Sequence, residues 1–361
     1  MALHKRNVDQ LAPSFFDKEA TYDAGPGGWT GTSACSLKGF SKASLVTTPD
    51  QVVNDREGVS GSEHPTEQEI IRKDWRLDFE DVRVKPNTLA GFAAMALGVI
   101  SSTKDGTYDA WRHKITPVAP TVELPSVGML YEEAGTQYQA KGVKANGLTL
   151  KVGEDGFFTI TVPLIGSGTR ATDATSFPAA IDEKWLRTGK IAGLWLETGA
   201  DISINASPTQ GAQAISSGVP DDLTDRLLGL TFTWNPNLLE GLGFIAGGGD
   251  VRSRLPKGDA AGEISFTVEA DSTTWATEVG YYENQDACAV HLAVDMGTVI
   301  ATGGTYKYGF DLIIPLFKLQ PLVRGERDGF HTIEFKGEVM DDGTNDEVIL
   351  YVYNAQSTYL A

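Results

Sequence analysis

Alternation of apolar and polar positions dominates this chain. In "WRLDFEDVRV", Trp75, Leu77 and Phe79 fall on one face and Arg76, Asp78 and Glu80 on the other. That is the period of a half-buried strand. "CSLKGFSKASLVTT" predicts an earlier strand with a bend at Gly39. The period then changes: in "PNTLAGFAAMALG", Leu89, Phe92, Ala93, Ala96 and Leu97 recur at helical spacing. A helix over 87–98 follows, with Asn87 or Thr88 able to cap its start and Gly98 its end. Strand patterns resume in "YDAWRHKITPV", "TVELPSVGMLYEE", "YQAKGVKANGLTLKVG" and "GFFTITVPLIGSG". The turn from Gly153 to Gly156 has the Asp-Gly chemistry of a hairpin.

The second half runs through the same order. "LTDRLLGLTFTWNP" predicts a strand, and "GEISFTVEAD" another, with Ile264, Phe266 and Val268 alternating. "STTWATEVGYY" predicts a helix over 272–282, capped by Ser272 or Thr273, with Trp275, Val279 and Tyr282 on one face. Strands follow in "ACAVHLAVDMG", "YKYGFDLIIPLFKL", "FHTIEFKGEVMD" and "DEVILYVYN", the last two joined by a turn from Asp341 to Asp346. The fold class is mainly β. The repeated order predicts two domains in tandem, 31–169 and 216–361, each with one flanking α-helix. Residues 1–30, rich in Gly, Asp and Thr without a period, form an N-terminal arm. Residues 170–215, which hold "IAGLWLETGADISIN", form a connector. In each half a long loop of about 25 residues interrupts the order, at 48–72 and at 235–262. Loops of that length are usually functional or disordered.

Composition narrows the function. The 361 residues are 41% hydrophobic and 22% charged, enough for a sizeable core, and the length suits two domains. Net charge is −18 with no Lys/Arg cluster, which argues against a protein that grips nucleic acid by its phosphates. No apolar run approaches the ~20 residues that span a bilayer, and "MALHKRNVDQLAPSFF" lacks the apolar stretch of a secretory signal. Cys35 and Cys288 are far apart and are expected to be buried thiols.

The sharpest hint of chemistry is "GLGFIAGGGD", where Gly241, Gly243 and Ala246 match a dinucleotide-binding spacing. Such a loop must leave a buried strand directly and open a helix. Here Asn235 and Pro236 end the strand too early, and Gly247 to Gly249, Pro256 and Gly258 oppose a helix. The spacing is therefore expected to be a coincidence of high glycine content. Of His4, His64, His113, His291 and His331, no pair has metal-ligand spacing, and His113 and His331 are expected to be structural. "MDDGTNDE" has calcium-type oxygens without EF-hand spacing. "NAS" at 205–207 is a glycosylation sequon that matters only in a secreted chain. Neither a nucleophile elbow nor a phosphate-binding Gly-Lys loop is present in the sequence. Trp75, Trp111, Trp185, Trp195, Trp234 and Trp275 are spread through the elements as core or interface anchors.

The stretch from "WRHKITPV" to "TVPLIGSG" resembles bacteriophage tail tube proteins of long-tailed phages. The matching residues are His113, Pro125, Ser126, Tyr138, Gly142, Asn146, Gly147 and Leu148, with weaker likeness in "YGFDLIIPLFKL" and "EVILYVYNAQ". The resemblance implies a structural virion protein, not an enzyme, with no cofactor and no metal. Each domain would be a tube-type β-sandwich or barrel. Rings would stack into a tube through which DNA is ejected, passing without specific binding. An acidic lumen would suit that role, because like charge repels phosphates within a Debye length of ~8–10 Å. Two tube domains per chain would let three chains close a pseudo-hexameric ring; the alternative is six chains with one domain decorating the outside. The long loops become ring-to-ring connectors, with Asp55, Arg56, Glu57, Arg252 and Arg254 as contacts. Partners would be further copies of the chain, the tape-measure protein and tail-end proteins, without membrane insertion. The protein would be made in the bacterial cytoplasm and reside in the phage tail. A two-domain β-sandwich binding carbohydrate or a receptor is the competing expectation, and an oxidoreductase using 241–246 the least supported.

Overall fold

The computed structural model describes residues 6–8, 10–37, 43–54, 67–133, 135–152, 155–173, 175–181, 183–198, 202–205, 208–216, 220–243, 251–270, 280–284, 286–327 and 329–361. Strands come first as β1 (Arg6–Asn7) and β2 (Gln10–Pro13), then as a long pair, β3 (Ala43–Asn54) and β4 (Glu67–Arg83). Helix α1 (Pro86–Leu97) leads into β5 (Gly98–Lys104) and β6 (Trp111–Pro117). β7 (Val127–Glu133), β8 (Thr136–Ala145), β9 (Leu148–Val152), β10 (Phe158–Gly166) and β11 (Arg170–Thr172) complete the first half. β12 (Ile191–Thr198) and β13 (Asp221–Asp222) precede β14 (Leu227–Asn235) and β15 (Ala261–Glu269). The chain ends with β16 (Ala287–Val299), β17 (Lys307–Leu319), β18 (Val323–Arg327), β19 (Phe330–Val339) and β20 (Ile349–Asn354).

Every ladder among the described residues is antiparallel, as a mainly β chain with short hairpin turns should give. The pairing order recurs. In the first half it is β3–β4–β10–β9, and in the second β14–β15–β19–β18. Each half turns one corner. The last residue of β8, Ala145, pairs with Leu164, and the last residue of β17, Leu319, pairs with Gly337. Beyond the corner lie β8–β7–β2 in one half and β17–β16–β12 in the other. β9 and β14 then pair with each other, so one ladder crosses from the first half to the second.

The halves also share a core. One buried cluster contains Leu11, Phe79, Phe92 and Phe158 together with Phe232, Phe266, Phe310 and Leu350. β20 lies between β17 and β6, with its buried face against both halves. The segment expected to be an arm is folded into this body: Leu11, Ala12, Phe15 and Phe16 are buried, and β2 pairs with β7. The connector gives one strand to each side, β11 on β8 and β12 on β16.

Alternation places the expected faces. Trp75, Leu77 and Phe79 are buried, as are Ile264, Phe266 and Val268. At Asp81 the backbone turns to φ 43° and the β4–β10 register shifts. That bulge returns Val82 to the core, where strict alternation would face it outward. α1 begins one residue before the expected start. Lys85 is the N-cap and Pro86 occupies the first turn, because proline's fixed φ and missing N–H suit that place. Gly98 ends the helix in the left-handed region, φ 100°, as expected. The helix is buried on all sides, not along one stripe. Of the helix expected over 272–282, residues 272–279 lie outside the described residues, and residues 280–283 are helical.

Two expectations need correction. The described parts of the loop at 48–72 are strand: β3 runs on to Asn54 and β4 begins at Glu67, because Val52, Val53, Ile70 and Ile71 favour extended backbone despite the charges around them. Gly39 and residues 55–66 lie outside the described residues. The turn from Asp341 to Asp346 does join β19 to β20, but those strands both pair with β17 and not with each other. Its carboxylates serve the turn itself: Asp341 accepts the Gly343 N–H, and Asp342 accepts those of Thr344 and Asn345.

Candidate assembly interface

The β9·β14 seam has two unlike faces. Leu148 opposite Trp234 and Leu150 opposite Phe232 point into the core. Thr149 opposite Thr233 and Lys151 opposite Thr231 point outward, and the two threonine hydroxyls lie 3.3 Å apart. The outward face continues across β15 and β19, where Glu263, Glu269, Glu334 and Glu338 outnumber Lys336. Lys336 is itself held by Glu263 at 3.1 Å. This is a broad, acidic, threonine-rich sheet face.

At one end of that face, residues 236–243 and 251–260 fold over the sheet. Leu238 and Leu255 bury themselves with Val118, Leu124 and Ile165. Lys144 and Lys257 donate to the carbonyls of Leu255 and Val118 at 2.9 and 2.6 Å. Burial pushes the Lys144 ammonium below its ordinary pKa, and the Glu123 carboxylate opposes that shift.

Arg252 is central to this cover. Its side chain is 3% exposed and reaches Asp74 at 2.5 Å and Glu240 at 3.6 Å, while Arg76 holds the same two carboxylates from the other side. Burial raises the Asp74 carboxyl, but hydrogen bonds from Arg252 and Arg76 overcome that and hold it below the usual range. Arg252 also donates to the Gly166 carbonyl at 3.0 Å. It therefore pins the loop to β4 and β10 of its own chain and does not present a charge outward. Arg254 is exposed and donates to the Leu242 carbonyl at 3.3 Å. Asp55, Arg56 and Glu57 lie outside the described residues.

The glycine spacing at 241–246 does not open a long helix in the described part. Gly241 sits in a 3-10 turn, Glu240–Leu242, that starts five residues after the end of β14, and Ala246 lies outside the described residues. Among the described residues no group of three or more His, Cys, Asp or Glu is placed to hold a metal.

Several residues singled out in the sequence converge structurally. His113 is fully buried; Ser102 donates to its Nδ1 at 2.8 Å, and its Nε2 donates to Asn354 at 3.1 Å. Burial lowers its pKa to about 4, so the ring is a neutral structural group. The chain of bonds continues from Asn354 to Tyr359 and from Tyr359 to Asn87. Asn87 then donates to Cys35 Sγ through its side chain and to Glu183 Oε2 at 2.7 Å through its backbone. Helix start, connector and C-terminal segment are thus joined by one buried polar network. Ser126 and Gly142 converge on a residue that alternation could not single out, Glu19. Its carboxylate accepts the Ser126 hydroxyl at 2.7 Å and the backbone N–H groups of Asp23, Gly25 and Gly142. Gly142 has φ 62°, and its N–H is thereby aimed at that carboxylate.

Strand edges remain. Among the described residues β18 carries one ladder, to β19, and Val323 within it is 56% exposed. β3 pairs along its whole length with β4, and on its other side, among the described residues, Leu45 and Ser44 carry a ladder to β1. Exposed edges of this kind are templates for another strand.

The described residues thus form an antiparallel β-structure with a broad polar sheet face. A family model described as phage tail tube protein matches residues 14–342, and the chain belongs to that family. No curated protein matches the chain. The chain is therefore a structural component of a phage tail. Among the described residues no helix is long and apolar enough to cross a membrane.

Proposed function

We propose that copies of this chain join edge to edge into rings, that the rings stack into the tail tube, and that DNA leaves the phage through it. The observation that carries this reading is the β9·β14 seam. It joins two sheets of identical pairing order within one chain, so it is a template for joining the second sheet of one copy to the first sheet of the next. Two tube units per chain, 31–169 and 216–361, then give a ring of three chains with six similar units. A head-to-tail interface of this kind closes into a cycle.

The acidic face bearing Glu263, Glu269, Glu334 and Glu338 lines the lumen in this reading, where it repels phosphates. The segments around Asp55, Arg56, Glu57 and Arg254 meet the neighbouring ring, and the tube ends meet the tape-measure and tail-end proteins. Electron cryomicroscopy of single rings tests the stoichiometry: three chains are expected, and six full-length chains would overturn it. Replacing Thr149 and Thr233 by Lys tests the lumen. Slower DNA ejection from otherwise normal tails is expected, and an unchanged rate would place this face elsewhere.

A further inference from the structure

The repeated pairing order fixes a register for the joint between copies. Ala145 and Leu319 mark the same corner, so Leu164 corresponds to Gly337 and, four residues earlier, Ile160 to Ile333. Ile160 pairs with Leu150 on β9, and Ile333 pairs with Arg324 on β18. Leu150 and Arg324 therefore hold the same place. On the other side, Leu164 pairs with Leu77 and Gly337 with Ile264. Their next neighbours are Leu45 on β3 and Phe232 on β14. Because Leu150 pairs with Phe232 inside the chain, β18 of one copy meets β3 of the next with Arg324 opposite Leu45. Val323 then stands opposite Val46, and Gly325 opposite Ser44.

That edge is already in use within the single chain. β1 pairs with β3 at Arg6↔Leu45 and Asn7↔Ser44. A strand has two edges, and β4 holds the other one along the whole of β3. β1 and an incoming β18 cannot occupy Ser44 and Leu45 together. We infer that β1 is an intramolecular cap on the acceptor edge, and that a second copy of this chain displaces it when its β18 docks. This rests on the edge-to-edge reading above and adds to it a device that keeps the free subunit from polymerising. Among the described residues two pairs hold β1 in place, whereas the docking register offers β18 every position from Ala43 to Val46. Displacement therefore trades a short ladder for a longer one.

Two cysteine pairs separate the cap from the ring reading. The natural thiols, Cys35 and Cys288, are buried and free and leave the engineered pairs as the reactive ones. The first variant, Asn7→Cys with Ser44→Cys, locks β1 onto β3 when oxidised. The oxidised subunit is expected to stay unassembled, and reduction to restore tube formation as followed by light scattering and negative-stain microscopy. Failure of this pair to oxidise in the free subunit, or tubes from the locked protein at the rate of the reduced one, would overturn the cap. The second variant, Val46→Cys with Val323→Cys, has no such pair inside one chain. It is expected to cross-link only in assembled tubes and to give covalent trimers on a non-reducing gel. Tubes without that cross-link would sink the register and the ring reading with it, whereas cross-linked tubes from a protein whose first lock is harmless would sink the cap alone.

Discussion

Replacing Glu183 by Gln is expected to stabilise the subunit above neutral pH and leave it unchanged at pH 4.5. Glu183 is 7% exposed, and one oxygen, Oε2, accepts the Asn87 N–H at the start of α1. The other, Oε1, is buried without a hydrogen-bond partner. Burial raises its pKa from 4.5 to about 7, against the lowering effects of the Asn87 N–H and the Lys85 charge. Between these two values the folded chain binds more protons at this site than the unfolded chain. Stability from Glu183 is therefore fully present below 4.5 and lost as pH rises to about 7. At 1.36 kcal/mol per pH unit the loss is about 3 kcal/mol. His113 runs the other way. Its pKa is lowered from 6.5 to about 4, so its contribution grows as pH rises through that window. The two slopes nearly cancel in the wild type between about 4.5 and 6.5. In the Glu183→Gln variant the amide oxygen still accepts the Asn87 N–H, and the side chain cannot ionise. The variant should lack the fall, and its denaturation midpoint should exceed the wild type's by an amount that grows with pH. Urea unfolding of both proteins from pH 4.5 to 8 measures this. A difference independent of pH, or a variant weaker than wild type at pH 8, would refute the reasoning.

Gly91→Ala is expected to destabilise the chain, because a Cβ there would lie 2.5 Å from the Phe15 ring; overpacking costs ~1–3 kcal/mol, more than the ~1 kcal/mol gained in helix propensity. Thermal unfolding should show a lower midpoint for this variant, and an unchanged or higher one would refute the contact. Arg252→Ala leaves Asp74 and Glu240 under the loop with Arg76 as their remaining partner, and the lost charged hydrogen bond to Asp74 costs ~1.5–3 kcal/mol. Limited proteolysis should then cut within 236–260 first. Glu19→Ala strips the acceptor from the Ser126 hydroxyl and three backbone N–H groups. Each bond to a charged group contributes ~1.5–3 kcal/mol, so hydrogen exchange over 14–30 should rise well before global unfolding, and equal protection would contradict the role given to the Glu19 carboxylate.

Strand faces were legible because alternation is a local signal: one side of β4 or β15 is apolar whatever lies across from it. The start of α1 was missed by one residue because Asn87 looks like a cap, yet its side chain is spent on Cys35 and Tyr359 and a remote carboxylate serves the helix instead. Nothing near Asn87 in sequence points to Glu183. The same holds for Glu19, one carboxylate among 48 acidic residues, whose importance comes from four donors brought together by tertiary structure. Arg252 shows the same dependence on tertiary structure. In a loop rich in glycine and charge it resembles an outward contact, but two carboxylates from distant elements draw it inward. The β9·β14 seam also lay beyond sequence, since a ladder leaves no mark that identifies its partner.

The unequal chemistry of the two joints bears on how such a ring would assemble. Inside the chain, Leu148 and Leu150 face Trp234 and Phe232 in the core, and the linkage between the halves is covalent, so this joint forms during folding without loss of translational freedom. On the proposed register the joint between copies sets Val323, Arg324, Gly325 and Glu326 against β3. All four are exposed in the single chain, and on this register Arg324 takes the place of the buried Leu150 while Val323 takes that of Thr149 on the outward face. Apolar burial contributes ~25 cal/mol per Å², so the outer joint is the weaker of the two. It must also displace β1. A single joint would then be reversible, and a closed ring, in which each copy is held at both edges, would be far more stable than any open intermediate. On the proposed reading, weak edges and a removable cap would confine growth to surfaces where several joints form together, such as the end of an existing tube.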